Sequence, residues 1–518
     1  MELLVFCLMG CALVGAPTSW AMEAHRQESF QEHVHKQCSF TKYPGICVDT
    51  VLGSSGHQNA DFVSALVEKI IDETEVLTPN LPSYKLESST ATTHAHAGYC
   101  VQLMNMSLKW LNRSVSALKD SPRKNKHDIQ TWLSAVMTFQ QTCKDSVKGL
   151  PGYLSVISDE MDNLSRLVSN SLALINRISG LPKNSTSAEQ VFPEWVSAKD
   201  RKLLQTTKIK ANAVVSTDGS GNYKTISEAI NAASGERFVI YVKSGVYKEK
   251  IHTNKDGITL IGDGKYSTLI VGDDSVIGGS TLPGSATFTI TGDGFIARDI
   301  GFQNTAGPGG EQAIALSIAS DHSVLYKCSI AGYQDTLYAL ALRQFYRECD
   351  IYGTIDFIFG NAVAVFQNCY LVLRRPKGKA YNVILAQGRS DSGQNTGFSI
   401  QDCKITVSSD FSPLKNSYKS YLGRPWKEYS RSVIMESTID DAISPRGWIE
   451  WPGSSKVDKL YFAEYFNGGP GAATSKRVQW TGYHVIGSEE ASKFTVGKFI
   501  AGTSWLPSTG VTFISGLS

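Results

Sequence analysis

Cys328-Ser329-Ile330-Ala331-Gly332-Tyr333-Gln334-Asp335 is echoed by Cys349-Asp350-Ile351-Tyr352-Gly353-Thr354-Ile355-Asp356, with Cys, Ile, Gly and Asp in step at an offset of 21 residues. The echo predicts one turn of a parallel coil per repeat, so that Asp335 and Asp356 project from neighbouring strands ~4.8 Å apart. Two carboxylates that close do not both ionise readily. One is pushed to its protonated form while a cation holds the other charged, which puts an acid and a nucleophile or base at one site.

Outward from the echo, the chain from Ala213 onwards is a series of short β-rich segments punctuated by Gly, Asn and Asp: 238–242, 258–261, 286–290, 314–318, 323–326, 364–366 and 431–435. A β-sandwich also has many short strands. The 21-residue period and the abundance of Gly favour an all-β right-handed parallel β-helix, whose long groove suits a polymeric carbohydrate. Upstream, from about Glu28 to Ser179, the periodicity is helical, with Met104, Leu108, Leu111, Val115 and Leu118 on one face and Ile129, Leu133, Val136, Cys143 and Val147 on another. These read as a helix bundle. Between them, Pro182, Asn184 to Ser187, Pro193 and the basic cluster Arg201-Lys202-Leu203-Leu204 read as a linker open to proteolysis.

A chain of 518 residues with 42% hydrophobic and 19% charged residues is long enough for two packed domains and too apolar for disorder. A net charge of +2 argues against a dedicated nucleic-acid binder. The apolar run Leu3 to Ala16, followed by Ser19-Trp20-Ala21, reads as a secretory signal peptide over 1–21, although its first residues carry Glu2 and no Lys or Arg. No later run is apolar enough to span a bilayer. Past the signal, Cys38, Cys47, Cys100 and Cys143 lie in the first half and Cys328, Cys349, Cys369 and Cys403 in the second. In a secreted chain the first four favour disulfides, and the second four include candidates for thiols stacked along a coil. Acceptors for N-glycosylation occur at Asn105, Asn112, Asn163 and Asn184 and none follows, in agreement with two unlike halves.

The second half, over residues 208–518, resembles the plant pectin methylesterases through Gly245-Val246-Tyr247-Lys248-Glu249, Gln312-Ala313-Ile314-Ala315-Leu316, Gly332-Tyr333-Gln334-Asp335-Thr336-Leu337, Asp356-Phe357-Ile358-Phe359-Gly360 and Leu422-Gly423-Arg424-Pro425-Trp426. More loosely, residues 28–180 resemble the pectin methylesterase inhibitors, four-helix bundles, through Cys38-Ser39-Phe40-Thr41-Lys42-Tyr43-Pro44-Gly45-Ile46-Cys47. The resemblance implies bridges Cys38–Cys47, Cys100–Cys143 and Cys369–Cys403, and leaves Cys328 and Cys349 open. It also implies a pro-enzyme in which 181–207 is a linker cut at Arg201-Lys202-Leu203-Leu204.

The same resemblance assigns Asp356 as nucleophile on a galacturonate methyl ester, Asp335 as the acid that protonates methanol, and Arg424 as the partner of Asp356. A guanidinium there would keep Asp356 ionised and leave the shared proton to Asp335. Gln312 and Gln334, about one coil apart, are candidate donors to the tetrahedral oxyanion. Trp426 offers a flat face to a sugar ring. One departure stands out: where the family has a Thr-Phe pair before Ser285-Ala286-Thr287, this chain reads Thr281-Leu282-Pro283-Gly284, leaving Thr281 as a substitute substrate contact.

The implied partners are methyl-esterified pectin, the chain's own inhibitor-like domain, separate inhibitor proteins and a processing protease; the implied location is the cell wall outside the cell. No nucleic acid, metal or organic cofactor is expected. His94 and His96, in a Ser/Thr/Ala-rich stretch, read as solvated rather than metal-ligating. A serine esterase is disfavoured because no Gly-x-Ser-x-Gly occurs. Two alternatives stand: a β-helix glycoside hydrolase, since retaining enzymes also pair carboxylates ~5 to 5.5 Å apart, and a catalytically silent pectin-binding protein.

Overall fold

The computed structural model describes residues 19–54, 62–81, 91–148, 154–179, 210–378, 380–454 and 456–518. The signal-peptide reading before Ser19, Asn184 and the processing cluster Arg201, Lys202, Leu203 and Leu204 lie outside the described residues.

The first part is helical: α1 (Ser19–Cys38), α2 (Pro44–Gly53), α3 (Phe62–Asn80), α4 (Ala91–Asp120), α5 (Lys126–Ser146) and α6 (Leu154–Arg177). Pro44 opens α2, where its missing N–H has no intrahelical partner to lose. Helix α3 packs on α4 and α6, and α5 on the same two, so these four helices form a ring around Leu66, Ile70, Met104, Leu111, Leu133, Val136, Leu164 and Val168. Two disulfides staple it, Cys38–Cys47 between α1 and α2 and Cys100–Cys143 between α4 and α5.

The second part is a right-handed parallel β-helix of three sheets with eleven, seven and eight strands. Its coils repeat in register: Leu316 pairs with Leu337, Leu337 with Ile358, and Ile358 with Leu385. These side chains stack inward with Phe288, Tyr346 and Phe366 as a continuous core. Three strands match the sequence reading residue for residue, Phe238–Val242, Ser323–Tyr326 and Arg431–Met435.

Cys328, Cys349, Cys369 and Cys403 each follow a left-handed corner residue (Lys327, Glu348, Asn368 and Asp402) and point inward at the same level of successive coils. The expected Cys369–Cys403 bridge is not formed; all four are buried thiols. Each of the last three sulfurs also meets a backbone carbonyl of the preceding coil, Cys349 Sγ with Leu325 O at 3.4 Å, Cys369 Sγ with Tyr346 O at 3.4 Å and Cys403 Sγ with Phe366 O at 3.4 Å. Burial pushes the thiols of Cys328, Cys349 and Cys369 well up, which keeps them protonated.

The bundle lies on the outer face of the seven-stranded sheet. Tyr338, Leu340 and Phe359 from that sheet, and Leu342 at the corner just past it, join the bundle's core rather than the coil interior. Helix α5 presents a polar stripe to it: Trp132 Nε1 donates to Asp321 (3.1 Å), Ser134 O and Thr138 Oγ1 accept from Gln394 and Asn361 (3.0 and 2.8 Å), and Asp145 pairs with Lys427 (2.7 Å). Among the described residues, no helix is long and apolar enough to cross a membrane.

Candidate active site

Asp335 and Asp356 each stand two residues before a strand of the seven-stranded sheet, Leu337–Ala341 and Ile358–Gly360. Both occupy the left-handed region, at φ 60° and 51°, which an L-residue adopts only when surroundings hold it. The hold is visible: the Asp335 N–H donates to Ile355 O at 3.0 Å, tying one corner to the next. Both side chains are nearly closed off, at 7% and 5% exposure.

Arg424 reaches them along a row of outward positions. Tyr338 pairs with Phe359, Phe359 with Ala386, and Ala386 with Arg424. Ala386 is small, so the guanidinium can extend over it to Asp356, meeting both carboxylate oxygens (Nε to Oδ1 2.8 Å, Nη2 to Oδ2 2.5 Å). Its other terminal nitrogen donates to Tyr381 Oη at 2.9 Å, and its carbon sits 4.4 Å from the ring centre of Trp451. The arginine is thereby fixed on three sides.

This geometry sorts the two carboxylates. Burial pushes Asp335 well above the usual range, and the charge of Asp356 adds to it, against a weaker pull from Arg424. Burial also raises Asp356, but there the charge and hydrogen bonds of Arg424 oppose it directly. Of the two, Asp335 is therefore the carboxyl that keeps a proton more readily, and Asp356 is the one whose ionised form Arg424 favours.

Gln312 and Gln334 face each other as a parallel bridge on adjoining coils and line the same cavity of about 500 Å³ as the two aspartates, Arg424 and Trp426. Trp426 packs edge-on against Phe359, with ring centres 6.0 Å apart. Thr281 lines the cavity too, its hydroxyl accepting from Gly284 N at 3.1 Å, so the Thr281-Leu282-Pro283-Gly284 departure forms part of the wall.

Three side chains of this site were not read from sequence. Trp451 and Tyr381 lie in irregular segments outside any repeat, and no spacing signals them. His96 was expected to be solvated; instead it lies within α4 and lines the cavity beside the aspartates, with Nδ1 unpartnered and burial lowering its pKa. Of the glycan acceptors, Asn105 and Asn112 are exposed on α4, while Asn163 donates to Glu73 at 3.2 Å.

The family model described as Pectinesterase matches residues 212–503, and that described as Plant invertase/pectin methylesterase inhibitor matches residues 32–174. The chain is 51% identical to a probable pectinesterase/pectinesterase inhibitor 54 of Arabidopsis thaliana, over 91% of this chain and 90% of that one. It is 46% identical to pectinesterase 2 of Citrus sinensis, over 94% and 95%. The solved structure of a pectin methylesterase from carrot aligns with 50% identity and a TM-score of 0.59, covering 60% of this chain and 100% of that one.

Proposed function

The chain belongs to the pectinesterase family, with a plant invertase/pectin methylesterase inhibitor domain ahead of the enzyme, and on that premise we propose that Asp356 and Asp335 share the hydrolysis of galacturonate methyl esters in pectin as nucleophile and acid/base. The reaction releases methanol and leaves de-esterified pectin.

The ionised Asp356 attacks the ester carbonyl carbon, and the carbonyl electron pair moves onto oxygen. Gln312 and Gln334 donate to that oxyanion; in such sites each donor is worth about 2.7 to 4 kcal/mol of barrier. When the intermediate collapses, the methoxy group leaves with the proton of Asp335 as methanol, and an acyl-enzyme forms on Asp356. Asp335, now ionised, takes a proton from water as that water attacks the acyl carbon. The second collapse expels the Asp356 carboxylate and frees the galacturonic acid, restoring both aspartates. Trp426, Trp451 and Thr281 seat the sugar.

The observation that carries this reading is the two-point contact of Arg424 on Asp356, in one cavity with an Asp335 that has no such partner. The bundle covers this cleft and sets His96 in it, which supports a silent precursor. Secretion to the cell wall, cleavage at Arg201-Lys202-Leu203-Leu204 by a processing protease, and control by separate inhibitor proteins complete the reading.

Methanol release from highly methylated pectin by residues 208–518, beside the uncleaved chain, tests it. The cleaved form is expected to release methanol and the uncleaved form to be much slower, with Asp356→Asn lowering the cleaved rate by about a thousandfold or more. New reducing ends without methanol would mean a glycoside hydrolase instead.

A further inference from the structure

The chain leaves the seven-stranded sheet at Gln387 and enters the eleven-stranded one at Gly397. At that corner two arginines are fastened side by side. The buried Gln387 accepts at Oε1 from the backbone N–H of Arg389 at 3.0 Å and from that of Arg431 at 2.8 Å, which brings together residues far apart in the chain. Both side chains then grip one loop: Arg389 Nε donates to Gln394 O at 2.9 Å and Arg431 Nε to Thr396 O at 2.7 Å. Arg431 also lies over Phe494 and Phe499, its guanidinium carbon 5.9 and 5.4 Å from the ring centres.

The outer edges of these guanidiniums are unmet. Arg389 Nη2 donates to Ser392 O, but Arg389 Nη1 and both terminal nitrogens of Arg431 have no partner among the described residues, and both side chains are partly exposed with the bundle in place. Among the described residues one carboxylate faces the pair, Asp391, and its oxygens are taken: Oδ2 by Lys42 at 3.3 Å and Ser169 at 2.9 Å of the bundle, Oδ1 by Gly393 N at 2.8 Å. Further out, Glu428 pairs with Lys459 at 3.0 Å and Glu490 with Lys493 at 2.6 Å, so neither neutralises the arginines. Burial pushes both guanidiniums down, Arg389 to about 10 against the pull of Asp391, and the charge of Arg389 pushes Arg431 down further. A cation withdrawn from water without a counter-charge costs stability, and an anion at the outer edges would relieve that cost.

Guanidinium edges with free N–H groups take carboxylates by paired hydrogen bonds. The corner adjoins the cleft: Gly388, just before Arg389, packs on Trp426, and a Cβ on it would stand 2.9 Å from that ring. We propose that Arg389 and Arg431 form an anion site that takes the free carboxylate of a galacturonate in de-esterified pectin, outside the catalytic cleft. The site holds the polymer where ester has been removed and leaves methylated stretches unheld. The identity of the carboxylate rests on the pectin reading of the cleft; the site itself uses none of the catalytic residues.

The test is retardation of the uncleaved chain, carrying Asp356→Asn so that it leaves the matrix unchanged, in gels containing either fully de-esterified or highly methylated pectin, each compared with a gel without pectin. The bundle covers the cleft in this form, so binding there does not contribute. Retardation is expected in the de-esterified gel and not in the methylated one. Arg389→Gln and Arg431→Gln should each weaken the affinity about tenfold, the size expected from losing hydrogen bonds to a charged group. Lys459→Gln removes the same charge from the surface nearby and should bind as the parent does. A second reading needs no variant and so does not depend on their folding: de-esterified pectin should shield Arg389 and Arg431 of the parent from an arginine-specific dicarbonyl reagent, followed by peptide mass spectrometry. No retardation of the parent, equal weakening by Lys459→Gln, Arg variants that bind as before, or arginines left unshielded would overturn the site. Inorganic phosphate that shields both arginines where de-esterified pectin does not would mean a site for small anions and would overturn the uronate assignment. Methanol release by the cleaved enzyme is read separately, so a failed catalytic reading shows there and not in the gels.

Discussion

At the scale of single residues, the site is a contest over one proton. Arg424 holds Asp356 by two hydrogen bonds, while Asp335 has burial and a like charge against ionisation. The lower limb of the pH–rate profile then reports ionisation of Asp356, and the upper limb loss of the proton from Asp335. Removing the guanidinium destabilises the ionised form of Asp356 and raises its pKa. Arg424→Gln should therefore move the lower limb of kcat/KM upward by about one to three pH units, besides slowing methanol release. A limb that stays in place or moves down would mean that Arg424 does not set this ionisation. The two aspartates were legible because the 21-residue echo carries them in register. Gln312 and Gln334 were legible for the same reason, one coil apart. Tyr381 and Trp451 were not, since each reaches Arg424 from an irregular segment that follows no period. The Cys369–Cys403 bridge expected by resemblance met a different constraint: in a stack of equivalent coils each sulfur already faces carbonyl oxygens of its own or the preceding coil.

At the scale of elements, the coil is held by positions where backbone meets backbone. Gly360 ends its strand at φ 124°, and a Cβ there would stand 2.1 Å from Ala339 O on the preceding coil. No rotamer relieves a clash with main chain. Gly360→Ala should cost about 3 kcal/mol or more and lower the melting temperature of the cleaved enzyme by about 5 °C or more. Gly309→Ala, where a Cβ meets nothing within 4 Å, is the control and should melt as the parent does. Phe238–Val242 could be read to the residue because its run of β-branched and aromatic residues is closed at each end by a charged side chain, Arg237 and Lys243. The corners could not. Lys327, Glu348 and Glu436 adopt φ between 53° and 55° with side chains that carry no turn signal, because the coil's closure imposes that conformation rather than local preference.

At the scale of the whole molecule, the run Thr336-Leu337-Tyr338-Ala339-Leu340-Ala341-Leu342 is apolar without alternation, as a sheet covered on both faces requires. One face is the coil interior and the other is the bundle, with Tyr338, Leu340 and Leu342 packed into the bundle's core. Two unlike halves were legible from periodicity, but not their docking, because the helix that makes it does so with a polar stripe that reads as solvated surface. The ion pairs across this interface, from α4 as well as α5, differ in weight. Lys109 and Arg113 of α4 pair with Asp293 at 2.7 and 2.8 Å, yet both cations are partly exposed and water screens them. Asp128 of α5 instead contacts Arg343, which is 2% exposed and already bound to Asp321, so its loss leaves a donor of a buried guanidinium unmet. In the uncleaved chain, Asp128→Ala should therefore loosen the bundle and raise methanol release about tenfold, whereas Lys109→Ala with Arg113→Ala should raise it by about threefold or less. The cleaved enzyme has no bundle to hold, so its rate gives the ceiling that the Asp128→Ala precursor approaches. If both precursor variants stay as slow as the parent while the cleaved enzyme is fast, the apolar contact at Tyr338, Leu340 and Leu342 alone keeps the cleft closed and the ion pairs only orient it.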